Sequence, residues 1–277
     1  MLIGRYNILK VDRRTEHGIY LQNEAGEEVL LPTKYTNDKM EEGTLGKVFI
    51  YRDSNDRLIA TTLKPLALVN EAAYLTVKET NRIGTFLDWG LEKDLLLPFA
   101  EQKQRPAVGD KVLVYLYLDA ATQRIVASTN INKFIKNRDI ELQPNDEVDL
   151  LICYENEIGV RTIVNQMYWG ILFKNEIFDK IEKGQHVKGY VKLVREDGKV
   201  DVALQKQGFA GAKDTTQVIM EKLKAANGIL KLSDNSTPEE IHAELGISKK
   251  MFKKAVGILF KEKKLELGDD YIKLLKK

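Results

Sequence analysis

Between Tyr74 and Ser128 apolar and polar residues alternate in short runs, none longer than a strand. The period of two predicts strands over residues 74–78, 84–90, 94–98, 112–118 and 124–128, each with one side turned to a core. Asn81, the charged stretch after Gly90, the turn Val108-Gly109-Asp110-Lys111 and the loop from Asp119 to Arg124 punctuate them. Phe86 falls on the strand face opposite Leu87, and Gly84 permits a bulge or bend. Five short strands with glycine-marked turns in about 60 residues suit a small closed Greek-key barrel of the OB type.

The same pattern recurs. His17-Gly18-Ile19-Tyr20-Leu21 repeats the glycine-aromatic strand, Val29-Leu30-Leu31-Pro32 repeats Leu95-Leu96-Leu97-Pro98, and Asp53 and Arg57 hold the places of Asp119 and Arg124. Lys64 and Pro65 interrupt the strand sets, which predicts a hinge over residues 63–66. A third, diverged copy spans residues 145–206, with Arg161 at the strand position of Phe86 and with Phe173 ending the apolar run. Its Asp197-Gly198 is a hairpin signal. Repetition at roughly 65 to 75 residues implies an array of separate barrels.

After Gln207 the period changes. A helix is predicted over 215–226 and a short strand over 228–232. Thr237-Pro238-Glu239-Glu240 forms a capping box that starts a helix ending at Gly246. Ser248 caps another, which carries Met251, Phe252, Val256, Leu259 and Phe260 at helical spacing, and residues 265–274 form a hairpin. That order is a winged helix. The expected fold is mainly β with a C-terminal α+β domain: five-stranded OB-type barrels over 1–64, 65–142 and 143–210, then a winged helix over 211–277.

The order Gly-x-Phe, apolar triplet, Val-Gly-Asp-Lys-Val and Asp…Arg-Ile resembles the RNA-binding motif of ribosomal protein S-one. The resemblance implies a nucleic-acid face at Phe86, Pro98, Asp119 and Arg124, with Pro98 standing where the family often has histidine and one extra residue between Asp119 and Arg124. The whole order, with Gly189-Tyr190-Val191 and Arg195-Glu196-Asp197-Gly198-Lys199, resembles the bacterial conserved virulence factor B family. That implies a cytoplasmic RNA-binding regulator.

Composition adds a gradient. Net charge is +2, yet residues 212–277 hold 14 Lys and 10 acidic side chains against 29 basic and 31 acidic in residues 1–211. The cationic end is the natural side for a polyanion. One cysteine, Cys153, forms no internal disulfide, and no apolar run approaches a membrane span. A cytoplasmic protein that needs neither membrane nor oligomer is expected. His17, His186 and His242 fall in different modules without metal-ligand spacing, and no phosphate loop or nucleophile elbow occurs. An enzyme, a metal and a cofactor are therefore not expected.

Rings and guanidinium planes on a barrel's outer face stack on unpaired bases, while nearby cations hold phosphates. The candidates for single-stranded RNA are His17, Tyr20 and Arg57 in the first barrel, Phe86 and Arg124 in the second, and Arg161, Phe173, Arg195 and Lys199 in the third. Lys249, Lys250, Lys253 and Lys254 follow on the winged helix, and the strongest site is expected in the third barrel and this helix together. For each ring the alternative is that it fills the core, and for the lysines that they are solvated surface. Trp89 and Trp169 are assigned to packing or to contacts between modules, and Asp53 and Asp119 to orienting their arginines. Two other partner classes stay open: the transcription or translation machinery, with the chain itself as an adaptor that binds it through barrels and winged helix, and duplex DNA read by the winged helix. Asp269 and Asp270 on the hairpin disfavour the latter.

Overall fold

The computed structural model describes residues 1–177, 180–206 and 212–275. β1 (Tyr6–Thr15), β2 (Gly18–Gln22), β3 (Glu28–Pro32), β4 (Leu45–Arg52) and β5 (Leu58–Thr61) close a barrel in the order β1-β2-β3-β5-β4. β3 and β5 run parallel, with Leu30 opposite Ile59, while β1 pairs antiparallel with β4 and shuts the cylinder. β6 (Ala72–Thr80), β7 (Gly84–Asp88), β8 (Leu95–Pro98), β9 (Lys111–Leu118) and β10 (Ile125–Ser128) repeat that order. So do β11 (Glu147–Glu155), β12 (Gly159–Val164), β13 (Tyr168–Phe173), β14 (His186–Val194) and β15 (Val200–Ala203). The period-two alternation becomes burial directly: Leu21, Leu87 and Leu172 are fully buried, each contributing about 1.5–3 kcal/mol.

Gly84 does not make the expected bulge. The register shifts on the opposite strand, between Val77 and Glu79, as it does between Val11 and Arg13 in the first barrel. The glycine is needed for close approach, because a Cβ there would lie 2.8 Å from the Leu97 carbonyl. Gly159 meets the Leu172 carbonyl at 2.2 Å in the same way.

Two compact units result, residues 1–138 with 163–169 and residues 139–162 with 170–277. Within the first, the expected hinge is a packed connection. Leu66 N–H donates to the Trp89 carbonyl at 2.8 Å, Val69 N–H donates to the Gly4 carbonyl at 3.0 Å, and Ala67 and Val69 are buried. The strand ends at Thr61, before Pro65, and the apolar residues after the proline fill a seam. Trp89 of the second barrel meets Phe49 and Tyr51 of the first edge-on, with centroids 5.7 and 6.3 Å apart. One core cluster therefore runs through both barrels, and each such edge contact adds about 0.5–1.5 kcal/mol beyond burial.

The C-terminal domain consists of α1 (Ala212–Ala225), β16 (Ile229–Leu230), α2 (Pro238–Leu245), α3 (Lys249–Lys261), β17 (Leu265–Leu267) and β18 (Ile272–Leu274). Its sheet has the order β16-β18-β17. Thr237 and Glu240 form the reciprocal capping box, Gly246 takes φ 66° to end α2, and Ser248 accepts from Met251 N–H to start α3. Phe252, Ala255, Val256 and Leu259 bury one stripe of α3. Phe260 departs from the expected apolar face and is exposed, one residue past that stripe. The boundary expected at residues 210 and 211 lies outside the described residues. No described helix is long and apolar enough to cross a membrane.

Candidate nucleic-acid interface

Tyr20, Phe86 and Phe173 are each half-buried, beside fully buried neighbours on the opposite strand face. All three rings therefore lie on the outer side of their barrels. Arg161, at the strand position of Tyr20 and Phe86, is half-buried as well.

In the first barrel the cation over Tyr20 is not Arg57. Arg13, brought opposite Tyr20 by the register shift, holds its Cζ 4.2 Å from the ring centroid. Arg13 is itself bonded to Glu28 and Asp12, which push its pKa up. Arg57 Nε and Nη2 donate to Asp53 Oδ2 at 2.9 and 2.7 Å. Burial pushes the Asp53 carboxyl up, but the bonds from the Arg57 side chain and from the Arg57 and Asn55 amides hold it below the usual carboxylate range. Asp53 thus orients its arginine. His17 is exposed at the β1–β2 turn, 3.4 Å from Glu16.

The second barrel departs from expectation. Arg124 Nε donates to Asp56 of the first barrel at 3.0 Å, and that bond lowers the Asp56 pKa. Asp119 accepts instead from Thr122, through the amide at 2.9 Å and the hydroxyl at 2.6 Å. The extra residue in this loop gives Asp119 a nearer donor and leaves Arg124 to the seam. Around it Lys93 Nζ donates to the Asp53 carbonyl at 2.7 Å, its pKa lowered by burial and by Arg124, and Lys34 pairs with Glu92. Phe86 stands opposite Glu79 and Leu96. Pro98 pairs with Gly84 and leads into a 3-10 turn, where Arg105 covers Phe99 at 5.2 Å.

The third barrel brings ring and cation together. Arg195 Cζ lies 5.7 Å from the Phe173 centroid, while its Nε and Nη2 donate to Asp201 Oδ2 at 3.0 and 2.9 Å. Asp201 is buried and raises the Arg195 pKa. Register places Asp201 opposite Ile171, where the other barrels have Ile59 opposite Leu30 and Val126 opposite Leu96. An acid on that strand between Val200 and Val202 was the signal for it. Lys199 turns back to Asp197 at 2.6 Å.

On α3, Lys250 and Lys254 are exposed and Lys249 half-buried, none with an ion partner among the described residues. Lys253 lies 3.3 Å from Asp234. Trp89 serves packing between the barrels, as described, and Trp169 is buried, its amide donating to Asn137 Oδ1 at 2.7 Å.

Comparison with known proteins places these modules. Residues 3–63 and 71–130 match the S1 domain family, and residues 217–274 match the CvfB-like winged helix domain. The chain is 27% identical over 283 residues to the uncharacterized protein YitL of Bacillus subtilis, covering 95% of this chain and 90% of the relative. It is 26% identical over 285 residues to conserved virulence factor B of Staphylococcus haemolyticus, covering 100% and 95%. A multidomain protein with nucleic acid binding domains from Streptococcus pneumoniae aligns over 99% of this chain and 98% of its own, at 22% identity and a TM-score of 0.40, too loose a likeness to carry weight. S1 and winged-helix domains suggest nucleic-acid binding, and the matched families are not enzymes. The chain thus carries S1 domains leading into a CvfB-like winged helix domain, and its likeness to conserved virulence factor B runs the length of those relatives.

Proposed function

We propose that this protein is a non-enzymatic, cytoplasmic regulator that binds single-stranded RNA and acts after transcription. The observation that carries the reading is the Phe173, Arg195 and Asp201 arrangement. The Arg195 guanidinium stands 5.7 Å from a half-exposed ring, and a buried carboxylate fixes it so that little side-chain freedom remains to be lost on binding. A base stacked there meets a flat apolar ring and a cation, the two components of sequence-tolerant strand binding. Lys250 and Lys254 on α3 supply phosphate contacts without breaking an existing ion pair among the described residues. Tyr20, already covered by Arg13, and Arg124, committed to Asp56, are the weaker contributors.

Fluorescence anisotropy of a labelled single-stranded RNA, titrated with the full chain at low and high salt, tests this. Saturable binding that weakens with salt and falls in Phe173→Ala and in Arg195→Ala is the expected result. Absence of binding at low salt, or tighter binding to duplex DNA of equal length, refutes it.

A further inference from the structure

The winged helix carries a cleft lined by none of the α3 lysines. Its volume is 710 Å³, within the roughly 300–1,000 Å³ typical of small-ligand sites. It lies against the outer face of the β16–β18 pair, where Ile229 stands opposite Lys273 while their neighbours Leu230 and Ile272 face the core. Lys231 and Lys273 line it, both exposed and without an ion partner among the described residues.

Tyr271 forms another wall, and its ring is set by the turn before it. A Cβ at Gly268 would lie 2.3 Å from the ring's Cε1, so glycine is what lets the ring rest on the backbone there. Ser233 Oγ accepts from Asn235 N–H at 3.1 Å, and Ser236 Oγ accepts from Ser233 N–H at 3.0 Å. Both hydroxyl protons are thereby left to donate elsewhere. Of the two acids at the rim, Glu240 is occupied by the Thr237 amide at 2.7 Å, and Asp270 makes no ion pair among the described residues.

We infer that this cleft binds a 5′-nucleotide: base stacked on Tyr271, phosphate held by Lys231, Lys273 and the serine hydroxyls, ribose hydroxyls donating to Asp270. A propped ring facing solvent selects a nucleobase, because a phosphorylated peptide would engage the lysines and leave the ring idle. The site goes beyond the strand-binding surface of the third barrel and does not depend on it. Its ligand comes either as a free nucleotide or as the 5′ end of a strand.

Isothermal titration of the full chain with 5′-AMP, adenosine and inorganic phosphate tests the assignment. Saturable 5′-AMP binding is expected, with adenosine and phosphate each weaker by about ten-fold or more. Lys231→Glu with Lys273→Glu is expected to cost about ten-fold or more in 5′-AMP affinity. Tyr271→Ala should erase the advantage of 5′-AMP over phosphate, and Tyr271→Phe, which keeps ring and fold, should retain it. Displacement of 5′-AMP by a 5′-phosphorylated RNA tetramer but not by its 5′-hydroxyl form assigns strand ends as a source; displacement by neither confines the site to free nucleotides. Four results overturn it: no saturable 5′-AMP binding, phosphate or a phosphoserine peptide binding as tightly as 5′-AMP, indifference to the cleft variants, or loss of binding on Lys250→Glu with Lys254→Glu instead. Phe173→Ala should leave 5′-AMP affinity unchanged, so failure of the strand reading and failure of this one are separable.

Discussion

Phe173 and Arg195 show how little of a binding residue's fitness lies in its own identity. Tyr20 also faces outward, at the strand position that Arg161 holds in the third barrel, but Arg13 stands over its ring at 4.2 Å and is held there by two carboxylates. Arg195 stands farther from the Phe173 ring, at 5.7 Å, and its anchor, Asp201, is buried. Truncating Phe173 to Ala should lower RNA affinity by about 1–3 kcal/mol per stacked base, and Phe173→Trp should preserve it in the same anisotropy titration. Replacing Asp201 by Asn should weaken RNA binding through Arg195 while Arg195→Ala, made in that background, adds little further loss; additive losses in the double-mutant cycle would argue against a shared role. Gly159→Ala should lower the melting temperature of the third barrel, since its Cβ would press on the Leu172 carbonyl. Alternation set Phe86 on the face opposite Leu87, but left open whether each ring faces outward or fills the core, and the burial of its neighbours decides that. The cation above Tyr20 was not legible, because it depends on a register shift in the neighbouring strand.

Elements were legible wherever local pattern decides them. Alternation set the strands, and Thr237, Glu240, Gly246 and Ser248 set the ends of α2 and α3 because caps satisfy backbone groups within a turn of themselves. The connection after Pro65 was misjudged for the converse reason: it is held by Trp89 and Gly4, which lie outside its own segment. Trp89→Ala removes the ring shared by two barrels and should cost about 3–5 kcal/mol, with strands of both barrels losing hydrogen-exchange protection together. Protection lost from the second barrel alone would mean the barrels fold separately. The seam also responds to acid. Asp53 and Asp56 have folded-state pKa values below their ordinary ones, so their stabilisation is complete above the unfolded carboxyl value of about 4 and is lost as pH falls through the lower folded values. Thermal melts between neutral pH and that range should show a steeper acid loss in the native chain than in Asp56→Asn.

At the scale of the molecule, the charge gradient matters more than the total. A net charge of +2 gives little long-range attraction, so binding should rest on a few cations and their counterion release. Replacing Lys250 and Lys254 by Gln should flatten the dependence of log affinity on log salt by about 0.7 per lost phosphate contact, read from anisotropy across a salt series; an unchanged slope would remove α3 from the interface. The sequence by itself determined the repeating barrels and the winged helix, because periodicity and caps act between residues a few positions apart. Tertiary structure alone decided which cations stay available: Arg124 is claimed by Asp56, 68 residues away, and Lys253 by Asp234 on a separate loop. Ion pairs form between whatever charges folding brings within reach, and no local spacing records that distance.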